Sequence, residues 1–117
     1  MIIRKRSEMV PTPIEHCMGG EGTVMMEKLL LGAEEMQGKG RAYVRHTLMP
    51  GVSIGAHTHA NEMESMVILS GRAAHVINGQ SQQLEPGDII VAQPGDTHQI
   101  ACLGEEPLVL IAQVLFA

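Results

Sequence analysis

Apolar residues along the chain fall into short runs, many of them alternating with polar positions and each closed by Gly, Pro or Asn-Gly. That rhythm belongs to strands rather than helices. It predicts strands at residues 24–31, 41–49, 54–59, 63–70, 73–77, 82–84, 89–92, 99–102 and 108–115. Asn78-Gly79 predicts a two-residue hairpin, because both positions accept positive φ. Pro50-Gly51, Pro86-Gly87 and Pro94-Gly95 each join two runs, with proline presetting the turn entry and glycine tolerating the positive φ of its second half. Many short strands with repeated turns predict an all-β barrel or sandwich.

Two segments fit this pattern less well. Glu34, Glu35, Met36 and Gln37 are good helix formers, but Gly32, Gly38 and Gly40 bracket them, so a loop with one helical turn is expected. Met18-Gly19-Gly20-Glu21-Gly22 is followed by neither Lys-Ser/Thr nor a helix, and is expected to be a flexible N-terminal connection rather than a phosphate loop.

Composition narrows the picture. A chain of 117 residues makes one domain, here with a core barrel at about 41–115 and N-terminal strands and loops before it. Apolar residues at 44% against 18% charged exclude global disorder. Net charge is −5, and the cluster Arg4-Lys5-Arg6 is too short to track a phosphate backbone or a membrane surface, so neither nucleic acid nor membrane is an expected partner. Tyr43 and Phe116 are the only aromatics, which removes the stacking platforms of single-strand and nucleotide-sugar sites. No apolar run has signal-peptide or membrane-span length, and the expected location is cytoplasmic. Cys17 and Cys102 form no CxxC pair and are expected as reduced thiols.

Candidate chemistry gathers in one stretch. His57 and His59 are two apart, so on a strand both imidazoles point to one face, and Glu64 can add a carboxylate oxygen from the next strand. A mixed nitrogen and oxygen set suits Mn, Fe, Co, Ni or Zn.

These residues resemble the first motif of the cupin family: Gly, five residues, His-x-His, three or four residues, Glu, six residues, Gly, matched by Gly51, His57, His59, Glu64 and Gly71. The second motif is Gly, five residues, Pro-x-Gly, two residues, His, three residues, Asn, and Gly87, Gly95 and His98 match it. Gln93 and Cys102 depart from it, at positions that are not metal ligands in the family. The resemblance implies a double-stranded β-helix, or jelly-roll barrel, of six to eight strands. It also implies a homodimer and one divalent transition metal per chain, Mn or Fe before Ni, Co or Zn, held by His57, His59, Glu64 and His98. Surface histidines beside a turn would not account for Glu64 and His98 at this spacing.

Other residues have plainer readings. Glu62, at a strand entrance, is expected to be solvated, with an alternative role as ligand or acid/base group. His46 and His75 are expected to be strand histidines satisfied by one partner, and His16 has no supporting context. Met66 and Ile68 are expected as core filler, with walling of the pocket as the alternative, while Gln113 suits the barrel interior and solvent equally.

Four protein ligands on one side of an octahedral ion leave about two positions for a chelating oxygen ligand or dioxygen. By resemblance, the implied function is coordination of a small carboxylate, diketone or enol, with oxidative cleavage or decarboxylation as the reaction. A non-catalytic binding or sensor module is the alternative. Residues 19–22 and Glu62-x-Glu64 are similar to a manganese-type, oxalate-decarboxylase-like group. The decarboxylases themselves are two-domain proteins with an arginine three residues before the first ligand histidine, where this chain has Ile54.

Overall fold

Every predicted run becomes a strand in the computed structural model, which describes residues 1–117. There are ten strands: β1 (Thr12–Glu15), β2 (Thr23–Leu30), β3 (Gly40–Leu48), β4 (Ser53–Thr58), β5 (Glu62–Ser70), β6 (Arg72–Ile77), β7 (Gln80–Leu84), β8 (Ile89–Ala92), β9 (Thr97–Leu103) and β10 (Leu108–Phe116). Helical structure is confined to 3-10 turns at Arg6–Glu8 and Cys17–Gly19, and no helix is long and apolar enough to cross a membrane. Pairing is antiparallel throughout, in a six-stranded sheet ordered β1-β2-β3-β10-β5-β8 and a four-stranded sheet ordered β4-β9-β6-β7. This is the all-β jelly-roll architecture that the motifs imply.

Alternation decides what each strand buries. Along β10, Leu108, Leu110, Ala112 and Val114 point inward, and the residues between them point out. Gln113 is therefore on the outer surface, in register with Tyr43 and Ser65, and is no part of the interior. Leu48, Met66, Ile68, Ile100, Leu108 and Leu110 anchor the core between the sheets, each contributing about 1.5–3 kcal/mol relative to exposure.

Three local features depart from the sequence reading. β1 is absent from the predicted strands: it contains Pro13, which lacks a ladder donor, but the strand lies at the sheet edge, where that loss is tolerated. The Gly19–Gly22 stretch is not a flexible connection. It closes the β1–β2 hairpin and packs on β4, where Ser53 N donates to Glu21 O (2.9 Å) and Glu21 N donates to Ser53 Oγ (2.9 Å). The strand predicted at 99–102 begins at Thr97, which places His98 inside β9. Residues 33–39 form the expected turn, with Gly38 N donating to Ala33 O (2.9 Å) and Met36 buried.

The irregularity in β4 matters most for the site. The register against β9 shifts between Ile54 and His57, so a bulge falls at Gly55-Ala56. Strict alternation would put Ile54 and His57 on opposite faces; the bulge turns both inward. Gly55 is required there, because a Cβ would lie 2.2 Å from Met18 O on the packed hairpin.

Candidate metal centre

Both sheets contribute to one cluster. His57 comes from β4, His98 faces it in register from β9, His59 lies just past the end of β4, and Glu64 projects from β5 of the opposite sheet. Their ligand atoms lie within 4.8 Å of one another. His59 Nε2 is 3.0 Å and His98 Nε2 2.9 Å from Glu64 Oε1, the two imidazole nitrogens are 3.2 Å apart, and His57 Nε2 is 3.6 Å from Glu64 Oε1. The chain thus brings all four predicted residues together.

The donor set fits a divalent transition metal, and the far side of each ring supports that fit. A ligating imidazole needs a lone pair at Nε2, hence its proton at Nδ1. His57 Nδ1 is 2.8 Å from Gly55 O at the bulge, an acceptor only, so it carries the proton. His59 Nδ1 donates to Glu62 Oε1 at 3.0 Å. His98 Nδ1 meets His75 Nε2 at 3.0 Å, and His75 Nδ1 meets the Gln82 amide nitrogen at 2.5 Å. A half-turn of that amide sets the direction of the chain. With nitrogen toward His75, protons point inward and His98 Nε2 is protonated toward Glu64; with oxygen there, the chain reverses and His98 Nε2 presents a lone pair.

Electrostatics reflect this packing. Burial pushes the Glu64 carboxyl up, but the imidazoles of His57, His98 and His59 gathered around it outweigh that and hold it well below the usual carboxylate range. His57 is raised, chiefly by the nearby Glu64 carboxylate. Glu62 is held at about 2, chiefly by Arg41, with His59 assisting against burial. Burial lowers His75 to about 4, with the charge of His98 adding to it.

Two expectations change here. Glu62 is neither solvated nor aimed at the cluster: it accepts Arg41 Nε and Nη2 at 2.8 and 2.7 Å while orienting His59. His46 is not satisfied by a partner. Its Nδ1 is the one buried side-chain nitrogen or oxygen without a hydrogen bond, a condition that costs about 1–3 kcal/mol. His75 does have partners, although its position behind His98 is not legible from spacing. His16 Nδ1 reaches only Gly20 O, at 3.1 Å.

The cluster opens onto a cavity of about 170 Å³, walled by Ile14, Met18, Met26, Val44, Ile54, Met66 and Val114, with Arg41, His46 and Cys17 also on its lining. Met66 thus serves both core and pocket. Ile54 presents an apolar wall where the decarboxylase arginine would stand. Burial, then the charge of Glu64, pushes the Cys17 thiol up and so disfavours its thiolate form. A larger groove of about 620 Å³ lies elsewhere, around Arg72, Glu85, Glu105 and Glu106, but no ligating cluster opens onto it. The two departures from the second motif are accommodated locally. Gln93 N donates to Asp96 Oδ2 (2.8 Å), closing the turn, and Cys102 Sγ donates to Glu106 O (3.1 Å).

Comparison with known proteins agrees with this architecture. The Cupin domain family profile matches residues 44–114, which include all four clustered residues, and the chain belongs to that family. An oxalate-binding protein of Thermotoga maritima is 35% identical over 115 residues, covering 98% of this chain and 93% of that protein. The crystal structure of a predicted oxalate decarboxylase from Thermotoga maritima superposes with a TM-score of 0.94 at 34% identity, covering 100% of both chains. KdgF from Halomonas sp. shares the fold, with a TM-score of 0.75 at 16% identity over 97% of this chain and 94% of that one.

Proposed function

We propose that His57, His59, Glu64 and His98 hold one divalent transition metal, Mn or Fe before Ni, Co or Zn, and that the centre coordinates a small oxygen-chelating ligand such as oxalate. The observation that carries this reading is the convergence of three imidazoles and one carboxylate on a cavity of about 170 Å³. That volume is below the roughly 300–1,000 Å³ of pockets for drug-sized ligands, so it suits a molecule of a few heavy atoms. When bound, the ion supplies a Lewis-acidic centre and, if redox-active, one-electron chemistry.

The chain's own residues do the rest. Gly55 O, Glu62 and His75 fix the three rings with their Nε2 atoms inward. Glu64 is the only anionic ligand, so the loaded site stays net positive and favours an anionic chelate. Ile54, Met26, Met66 and Val114 give the cavity an apolar wall. The similarity to an oxalate-binding protein supports the ligand class.

Binding without turnover is the reading that Ile54 favours, because the position that carries a cation in the decarboxylases is here an apolar wall. On this reading residues 1–117 form a single domain that carries this one site. A homodimer formed through the outer face of the six-stranded sheet fits the apolar Val67, Leu69, Ile89, Val91 and Ile111 that point away from the core. Calorimetric titration of Mn-loaded and Fe-loaded protein with oxalate, combined with oxygen-uptake and carbon dioxide measurements, tests the proposal. Saturable binding is expected; a metal-loaded protein that binds no small anion contradicts it. Carbon dioxide release or oxygen consumption would replace the binding reading with an enzymatic one.

A further inference from the structure

Beside the four clustered donors, the lining of the cavity holds one polar group with nothing to bond. His46, on β3 of the six-stranded sheet, points inward between Val44 and Leu48 and is nine-tenths buried. Its imidazole lines the same cavity as His57, His59 and Glu64 yet is outside the cluster of ligand atoms. Its Nδ1 has no partner in the protein. Neighbours in register are Met26 on β2 and Leu110 on β10, neither of which offers a side-chain nitrogen or oxygen. The surrounding wall is apolar, so a polar group maintained there without a structural partner points to a ligand.

We infer that His46 is a specificity-determining residue of the proposed centre, donating an N–H to an outer oxygen of the chelated molecule, one that does not touch the metal. The inference rests on the chelate-binding reading above. Burial, which outweighs the attraction of Glu64, lowers His46, so the ring is neutral with one donor and one acceptor. A chelate with two inner and two outer oxygens, such as a dicarboxylate of two carbons, offers an acceptor to His46 as well as donors to the metal. A chelate of similar size ending in a methyl group satisfies only the metal. Of the other polar lining groups, Arg41 commits its Nε and Nη2 to Glu62 on a side chain that is 47% exposed, and a thiol such as Cys17 is a weak donor, which leaves His46 as the buried N–H donor of the lining. His46 therefore makes the distinction between the two chelates.

The test compares oxalate with N-methylacetohydroxamate, which also chelates through two oxygens but presents only methyl groups outward. Both are titrated into Mn-loaded wild type, His46→Leu and His46→Gln, with metal content measured in each. His46→Leu should weaken oxalate by about 10- to 100-fold, the range for a hydrogen bond to a charged group, and change N-methylacetohydroxamate less than about threefold. Gln keeps a donor, so His46→Gln should recover much of the oxalate affinity. Metal content should stay at wild-type level in both variants. Equal losses for both probes, or no loss for oxalate, would overturn the assignment of His46 while leaving the metal centre standing. A wild type that binds neither probe would overturn the chelate reading and this inference together. If His46→Leu does not fold, His46→Met takes its place: it fills the volume without an N–H, so loss of oxalate affinity with the second probe unchanged supports the assignment, and parallel changes for the two probes overturn it.

Discussion

Replacing Glu62 separates orientation of a ligand from simple ion pairing. Its carboxylate accepts His59 Nδ1 at 3.0 Å and grips Arg41 through two bonds of 2.7 and 2.8 Å. The first contact fixes the tautomer that leaves His59 Nε2 free and raises its basicity; partners of this kind typically account for 10- to 100-fold in metal affinity, about 1.4–2.7 kcal/mol. The second contact involves an Arg41 side chain that is 47% exposed, so screening limits it to about 0.2–1 kcal/mol of stability. Glu62→Gln keeps an acceptor oxygen but loses the charge, and should weaken metal binding by about tenfold. Glu62→Leu removes both and should approach 100-fold. Arg41→Ala should change metal affinity by no more than a few-fold. Competition against a chromogenic chelator at pH 7 measures all three. The orientation argument fails if Glu62→Leu binds metal within about twofold of wild type, or if Arg41→Ala reproduces the full loss.

Titration, backbone packing and the hydrogen-bond chain behind His98 give three more expected outcomes. In metal-free protein, His57 is raised above 6.5, so its stabilisation is complete below 6.5 and lost as pH rises through the raised value. His46 and His75 are lowered, so theirs is present above 6.5 and lost as pH falls, for His75 through about 4. Thermal melts of chelator-treated protein should therefore peak near pH 6.5, and a monotonic profile from pH 4 to 8.5 would contradict this. Gly55→Ala forces a Cβ to within 2.2 Å of a backbone oxygen and should cost about 1–3 kcal/mol, seen as a fall of several degrees in Tm. Gln82→Leu removes the partner of His75 Nδ1 and should weaken metal binding about tenfold, whereas Gln82→Glu, which can only accept, should preserve it by holding the His75 proton outward; equal affinities would show that the chain behind His98 sets no tautomer.

Much of the site is legible in the sequence because ligand spacing is a local property. His57-x-His59, Glu64 and His98 are each fixed relative to a nearby turn glycine, and turn chemistry is readable residue by residue. The bulge that lets Ile54 and His57 face inward together is not legible, because it arises from the approach of Met18 and Gly20 across the fold. Glu62 reads as solvated for the same reason: its partner Arg41 is 21 residues away and meets it only when β3 and β5 flank β10. For His46 and His75, frequency alone assigns one partner each. Strand pairing gives His75 two and His46 none at Nδ1, a difference that alternation cannot encode. β1 escapes detection because Pro13 and a single apolar Ile14 give too weak a strand pattern.

Metal content per chain is the most direct test of the centre. Protein purified without added metal, with His59→Ala and His98→Ala prepared alongside, should be assayed by elemental analysis after correcting for the folded fraction. About one transition metal ion per wild-type chain is expected, with most of it lost in each variant, because each substitution deletes an inner-sphere nitrogen. Full occupancy in both folded variants would contradict the assignment of the site.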